Sequence, residues 1–497
     1  MAVKVFEPQI SVVLKKNIGR ATVSGNIAAS QRFQGSARTV DLTPYIGEFG
    51  QVVTRKSVRE PCGMFSVVLA DKLDLDSMDS LYGVIEPLDV IEIRMARDAT
   101  LYSGLGTPAG LPLMMRGLVT NVTRGETIGS AGGPQRTVTV SGQDYGKLLQ
   151  MCQIVYLPNH VLGQDLLTYF KLFVNYGIST DANLDASEFI QQLVEGPVQQ
   201  FIDNMQTSGG SNGAQSPIVS FAVDATVQNA IVSPFGTNAW AGGSIYDLMR
   251  YFGDLFQNEL YVEDREDAPY VVYRPMPYKD PTGAWIQPVT NPPIVNPIFD
   301  DALVSLNVTR SDAGVYNYYW VDAQQYSMTD PVLFRAAAQQ QDVSDFYLHD
   351  YPNSTDTLYG LRMLQVQSQQ GPRIDGKKQG DYDTGNQNVL DYMIAKRKLL
   401  ANLNRDNVVF EKGAAELRGD ETIKAGTILQ INRGGQNGGG LNSEYYVPAV
   451  THTYLPFRTY RTTAELDRGT GFIQRIEEGS GSASPYLTEM AAAGVYA

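Results

Sequence analysis

Between about Val40 and Gly142, apolar and polar residues alternate in short runs. Phe65, Val67 and Leu69 carry the alternation in "GMFSVVLAD", Ile91, Ile93 and Met95 in "DVIEIRMARD", and Leu118 and Val122 in "RGLVTNVTRG". A period of two turns one face of a strand toward a core. "TPAGLP" and "IGSAGGPQ" supply the Gly/Pro breaks between runs. Several short strands separated by turns predict a small antiparallel barrel or sandwich. The alternation in "MAVKVFEPQISVVLKKN" predicts a further strand at the N-terminus.

The period changes after Leu157. "HVLGQDLLTYFKLFVNYG" places Leu162, Leu166, Tyr169, Phe170 and Phe173 on one helical face. "DASEFIQQLVEG" opens with Asp185 and Glu188 at the spacing of a capping box, and Gly196-Pro197 should break or kink that helix. In "GGSIYDLMRYFGDLFQNE", Ser244 and Asp247 form a second such cap before Ile245, Leu248, Met249 and Phe252. A hairpin with its turn at Asp267-Ala268-Pro269 follows, so residues 150 to 297 predict a mixed α+β unit. Strands resume in "FDDALVSLNVTRSDAGVYNYYWVDA". A polar loop at 366–388 and a helix capped by Asn388 come next, then strands from Val408 to about Phe472.

Two series of strands compare with each other. "LDVIEIR", "RGLVTNVTRG" and "RTVTVSGQDYG" occur in the same order as "GTILQIN", "YYVPAVTHTYLP" and "YRTTAELDRGTGF". Val119-Thr120 matches Val450-Thr451, and the closing corners hold Asp144 and Asp467. This predicts duplication of one β-barrel. It makes Asp144 an architectural residue, placed to cap a short helix that buries Leu148 and Leu149, rather than a catalytic carboxylate.

Composition narrows the function. The 497 residues suffice for about three domains. A formal net charge of −14 leaves no basic face for gripping nucleic acid, and "LKKN" and "AKRK" are short runs expected to be solvated. Acidity suits solubility, or a surface past which DNA slides without sticking. Cys62 and Cys152, the only two cysteines, cannot build a disulfide framework or a four-thiolate zinc site. No apolar run reaches the roughly 18 residues of a membrane span, and no signal peptide is evident, so folding in the cytoplasm is expected.

Catalytic patterns are weak. "GGSNG" matches a nucleophile elbow around Ser211 but has no strand before it. "DTG" at Asp383–Gly385 has no second copy to share a proton. His160, His349 and His452 form no metal-binding spacing, and Asp71, Asp74, Asp76 and Asp79 depart from the calcium-loop pattern at Met78. No phosphate-binding glycine motif is present. No catalytic residue, metal or cofactor is expected.

The order of "VREPCGMFSVVLAD", "RGLVTNVTRG", "VTVSGQDYGKLL", "GSIYDLMRYFGDLFQNELYVED", "FDDALVSLNVTRSDAGVYNYYWV" and "YYVPAVTHTYLPFRTYRTTAELDRGTGF" resembles the bacteriophage tail baseplate hubs, whose barrels also occur in the type VI secretion spike protein. The resemblance implies an α+β, mainly β chain with two tube-like antiparallel barrels. It implies an N-terminal arm at 1–40, a first barrel at 41–150 and an α+β insertion at 151–297. A second barrel would span 298–345 and 405–475, interrupted by a loop and helix at 346–404, with an extension at 476–497. It further implies a non-enzymatic homotrimer in the virion, forming a pseudo-six-fold ring. Its partners would be the tail tube protein, a three-fold central spike, baseplate wedge proteins and the tape measure protein, with DNA only in transit. The rival readings are an envelope-acting hydrolase or carbohydrate-binding protein, marked by two close carboxylates in an aromatic pocket, and the hub of a contractile injection device.

Overall fold

The computed structural model describes residues 7–17, 39–47, 49–74, 79–105, 110–128, 134–154, 184–207, 217–228, 231–232, 243–299, 301–323, 351–371, 380–433 and 441–473. The fold is mainly β with added helices, as the alternation predicts.

The first strands are β1 (Gln9–Lys15), β2 (Thr39–Asp41), β3 (Gln51–Ser57), β4 (Met64–Ala70), β5 (Val90–Ala96), β6 (Leu113–Ile128) and β7 (Pro134–Asp144). They pair in the order β2-β1-β5-β6-β7-β4-β3. Val12, Leu14, Leu42, Val52, Leu69, Ile91, Ile93 and Val140, drawn from both ends of that order, share one buried cluster. A flat sheet would hold its outer strands far apart, so this one curls around its core. Residues 9–15 therefore belong to the first sheet, where the sequence suggested a separate arm.

An α+β unit follows. The helices are α1 (Gly146–Met151), α2 (Ala186–Leu193), α3 (Gln199–Thr207) and α4 (Ile245–Phe252). The strands β8 (Ala222–Ala225), β9 (Asn258–Asp264) and β10 (Pro269–Pro275) make a small sheet in the order β8-β10-β9. Ser244 and Asp247 close the expected capping box on α4, each accepting from the other's backbone N–H at 3.1 Å. Asp185 does not close its own, because it lies in a short strand pair with Ile231 and its side chain makes no cap bond. Pro197 bends rather than breaks its helix. A wide turn at Val194–Val198 absorbs the backbone bond that proline cannot donate, and α3 continues beyond it. The helix expected at 160–177 lies outside the described residues. Phe189, Leu248, Phe252 and Tyr273 of this unit share a core with Val90 and Leu118 of the first sheet.

The remaining strands are β11 (Val295–Phe299), β12 (Leu303–Thr309), β13 (Tyr318–Ala323), β14 (Met363–Ser368), β15 (Glu411–Arg418), β16 (Thr427–Arg433), β17 (Leu441–Val447), β18 (Ala449–Leu455) and β19 (Thr459–Gly469). Seven of them pair in the order β11-β16-β17/β18-β19-β15-β12. The end strands β11 and β12 would stand about 24 Å apart in a flat sheet. Residues 300–302 reach only about 14 Å, so this path also closes on itself. The pair β13–β14 is a separate parallel ribbon packed on α5 (Gly380–Asn404), with Tyr319, Val321, Met393 and Leu400 buried between them. Residues 318–323 thus leave the second barrel to which the sequence assigned them. The expected 366–388 loop is strand at its start and helix from Gly380, with Asn388 inside α5 rather than capping it. The run from Gly380 contains no proline to stop the helix earlier.

Five successive positions of the two closed paths correspond, whereas β1 runs antiparallel to β5 and β11 parallel to β16. β5-β6-β7-β4-β3 matches β16-β17/β18-β19-β15-β12, and the bulge at Val119/Asn121 in β6 falls where Pro448 divides β17 from β18. A direct β3–β18 pairing, from Ala449–Ser57 to Tyr454–Val52, joins both into one 14-stranded sheet.

Gly142 sits where β7 crosses this packing. A Cβ there would meet Leu118 O at 2.2 Å and the Phe65 ring at 2.4 Å. Gly142→Ala should cost about 3 kcal/mol by overpacking. Phe65→Leu in the same chain should fail to restore it, because the closer contact is backbone; urea denaturation of both variants measures this.

Candidate functional site at the sheet junction

The seam ends in a knot of charge. Lys56, on β3, reaches Asp144 at 2.5 Å and Asp264, on β9, at 2.6 Å. Asp144 also accepts from the backbone N–H groups of Gly63 at 2.8 Å and Gly146 at 2.9 Å, and Asp264 accepts from Arg116 N at 3.2 Å. Both carboxylate side chains are 1% exposed. Burial alone would lower the Lys56 ammonium, but the two carboxylates hold it above the ordinary lysine value; burial raises Asp144, and Lys56 opposes that rise. Asp144 is therefore not the helix N-cap, which falls at Tyr145. It is a cross-brace tying β3, the β3–β4 corner, α1 and, through Lys56, the inserted hairpin.

Asp467 occupies the matching corner of the second path. It pairs with Arg59 and lies 3.6 Å from Lys412. Burial would raise its carboxyl, yet Lys412 and Arg59 hold it below the usual carboxylate range. Arg274 spans from Glu259 at 3.0 Å to Gly426 O at 2.9 Å, and Tyr446 donates to Glu259. The inserted unit is thus bonded to both sheets.

A cavity of about 40 Å³ lies beside Lys56, lined by Thr54, Met114, Tyr261, Asp264 and His452. Drug-sized and sugar-sized ligands need roughly 300 Å³ or more, so the two close carboxylates here do not form a substrate cleft. His452 is buried. Its Nε2 faces Ile423 O at 3.1 Å, and its Nδ1 faces Thr462 Oγ1 at 3.0 Å and the Tyr460 hydroxyl at 3.2 Å. Burial lowers its pKa to about 4.

Other sequence candidates disperse. Ser211, His160 and His349 lie outside the described residues, as do the side chains of Asp74, Asp76, Asp79 and Asp383. Asp71 pairs with Arg124 at 3.1 Å. Among the described residues no group of three His, Cys, Asp or Glu could hold a metal, and no helix is long and apolar enough to cross a membrane. Cys62 and Cys152 are free and buried, their thiols pushed up to about 12 and about 11 by burial. The basic runs expected to be solvated are partly buried. Lys16 donates to Asp89 at 2.6 Å, and Lys396 donates to Asp254 and, at 3.0 Å, to Ser368. Their acidic partners lie far away in sequence, so only the fold reveals the pairing.

No family model and no curated protein matches the sequence. Solved structures do. A tail protein from Neisseria meningitidis is 10% identical with a TM-score of 0.46, covering 94% of this chain and 98% of its own. A prophage tail protein from Shewanella oneidensis is 9% identical with a TM-score of 0.41, covering 92% and 98%. An Escherichia coli type VI secretion component is 7% identical with a TM-score of 0.37, covering 84% and 73%. The similarities are to phage-type tail proteins and to a type VI secretion component.

Two outcomes test the junction. Lys56→Met leaves two buried carboxylates facing each other and should cost about 3–5 kcal/mol, with Lys56→Met/Asp144→Asn recovering part of the loss in the same denaturation assay. His452 takes up a proton more readily unfolded than folded. Its contribution to stability is therefore complete above about pH 6.5 and is lost as pH falls toward 4, by about 3 kcal/mol. Denaturation midpoints of the wild type and His452→Gln between pH 7 and 4 should converge on acidification.

Proposed function

We propose that this chain is a non-enzymatic structural hub of a phage tail or of an equivalent injection device. It acts as a homotrimer in which two similar barrels per copy make a pseudo-six-fold ring. One face of the ring meets the tail tube, and the other meets a three-fold spike and the surrounding baseplate proteins. The observation that carries this reading is the repeated strand order, with the two closed sheets welded edge to edge at β3–β18. A chain holding two like units gives a six-fold-like surface from three copies, which adapts one symmetry to another. The formal charge of −14 suits a channel through which DNA passes without adhering.

The envelope-hydrolase alternative needs two accessible carboxylates. The pair at the junction is buried and bridged by Lys56, which suits a brace rather than an acid and a nucleophile. Light scattering after size exclusion should give three times the 54.6 kDa chain mass, alone or once the spike is added. A monomer under every condition, indifferent to tail components, overturns the reading.

A further inference from the structure

The seam inside the chain uses two kinds of strand edge, and each kind occurs once more without a described partner. β18 is the half of its strand that swings away from β16; it pairs with β19 on one side and β3 on the other. Residues 120–128 of β6 swing away from β5 in the same manner and pair with β7, while their other edge has no partner among the described residues. Similarly, β3 flanks β4 and is covered by β18, whereas β12 flanks β15 and its outer edge has no partner among the described residues.

Burial follows the pairing. Val52, Thr54 and Ser57 on β3 and Val450 and His452 on β18 are buried. On β12, Val304, Ser305, Asn307, Val308 and Thr309 are all exposed, and no residue from Thr120 to Ile128 is buried. β12 reads "LVSLNVT", with no charge and no proline to discourage pairing. A two-stranded ribbon exposed on both faces is marginal alone.

We propose that these two leftover edges pair with each other between copies. The outer half of β6 in one copy adds antiparallel to β12 of the next, repeating the β3–β18 seam as an intermolecular joint. This rests on the homotrimer reading and specifies its interface. The register transfers directly. Val140, opposite Val67 and Val122, corresponds to Ala464, opposite Ala415 and Val450. Val52 opposite Val67 corresponds to Leu306 opposite Ala415, and the Ser57 and Ser311 hydroxyls, each accepting from the backbone N–H two residues on at 3.1 Å, occupy the same place at the ends of the two edges. Since Thr451 faces Arg55 and Tyr454 faces Val52 in the seam, Thr123 faces Thr309 of the neighbouring copy, and Glu126 faces Leu306. The joint is head-to-tail, so each copy gives one edge and receives one, as a closed ring requires.

The test is the double variant Thr123→Cys/Thr309→Cys in the full-length chain. Both sites are exposed, and the native Cys62 and Cys152 are buried, so background cross-linking is low. Mild oxidation should give reductant-sensitive dimer and trimer bands that end at the trimer, and neither single variant should progress beyond a dimer. A trimer by light scattering that yields no cross-link at Thr123/Thr309 or at Gly125→Cys/Asn307→Cys overturns the joint and leaves the hub reading standing. A monomer with no cross-link overturns both.

Discussion

An antiparallel strand pair formed by segments from opposite ends of the chain, β3 and β18, is what the rest of the architecture depends on. Each sheet has its own core, and either could close on itself without the other. The backbone bonds from Ala449–Ser57 to Tyr454–Val52 turn two closed units into one continuous sheet. Backbone pairing fixes register, and a slip of one residue would turn Val52 and His452 outward and bring Val53 and Thr453 inward. The seam therefore sets the relation between the two units far more sharply than a patch of side-chain contact could.

The charged knot at the end of the seam acts on specificity rather than on net stability. Lys56 between Asp144 and Asp264 is desolvated, and such groups contribute little over a well-packed apolar replacement. Their value lies in the cost of misplacement: a shifted hairpin strands a buried charge. Asp467 with Arg59 and Lys412, and Lys396 with Asp254, do the same for the second sheet and for α5. Each polar brace joins elements that the hydrophobic cores alone would allow to slide.

The strands were legible because a half-buried strand writes its burial into every second residue; Phe65, Val67 and Leu69 are buried as their spacing required. The match of Val119-Thr120 to Val450-Thr451 does not survive in the pairing: Leu88 N–H donates to Val119 O as Gly426 N–H donates to Val447 O, and Val122 opposite Val140 holds the place of Val450 opposite Ala464. The α4 cap was legible because both partners lie three residues apart. The braces were not. Lys56 and Asp264 meet only after the insertion folds against the first sheet, and neither carries a local signal. Residues 318–323 alternate like a barrel strand, but α5 and β14 claim them, a tertiary choice that no local pattern encodes.

An uncharged, largely exposed edge such as β12 invites indiscriminate pairing in a free chain. Proteins that keep such an edge usually consume it in assembly, and the seam within this chain demonstrates the geometry by which it can be consumed. The surplus of acidic residues bears on the interval before assembly. At a formal charge of −14, free copies repel at a distance and approach productively only where a matching edge offsets the repulsion. Short-range strand complementarity against long-range like charge favours one register over many. In the proposed ring, that balance is what would turn a sticky edge toward closure instead of aggregation.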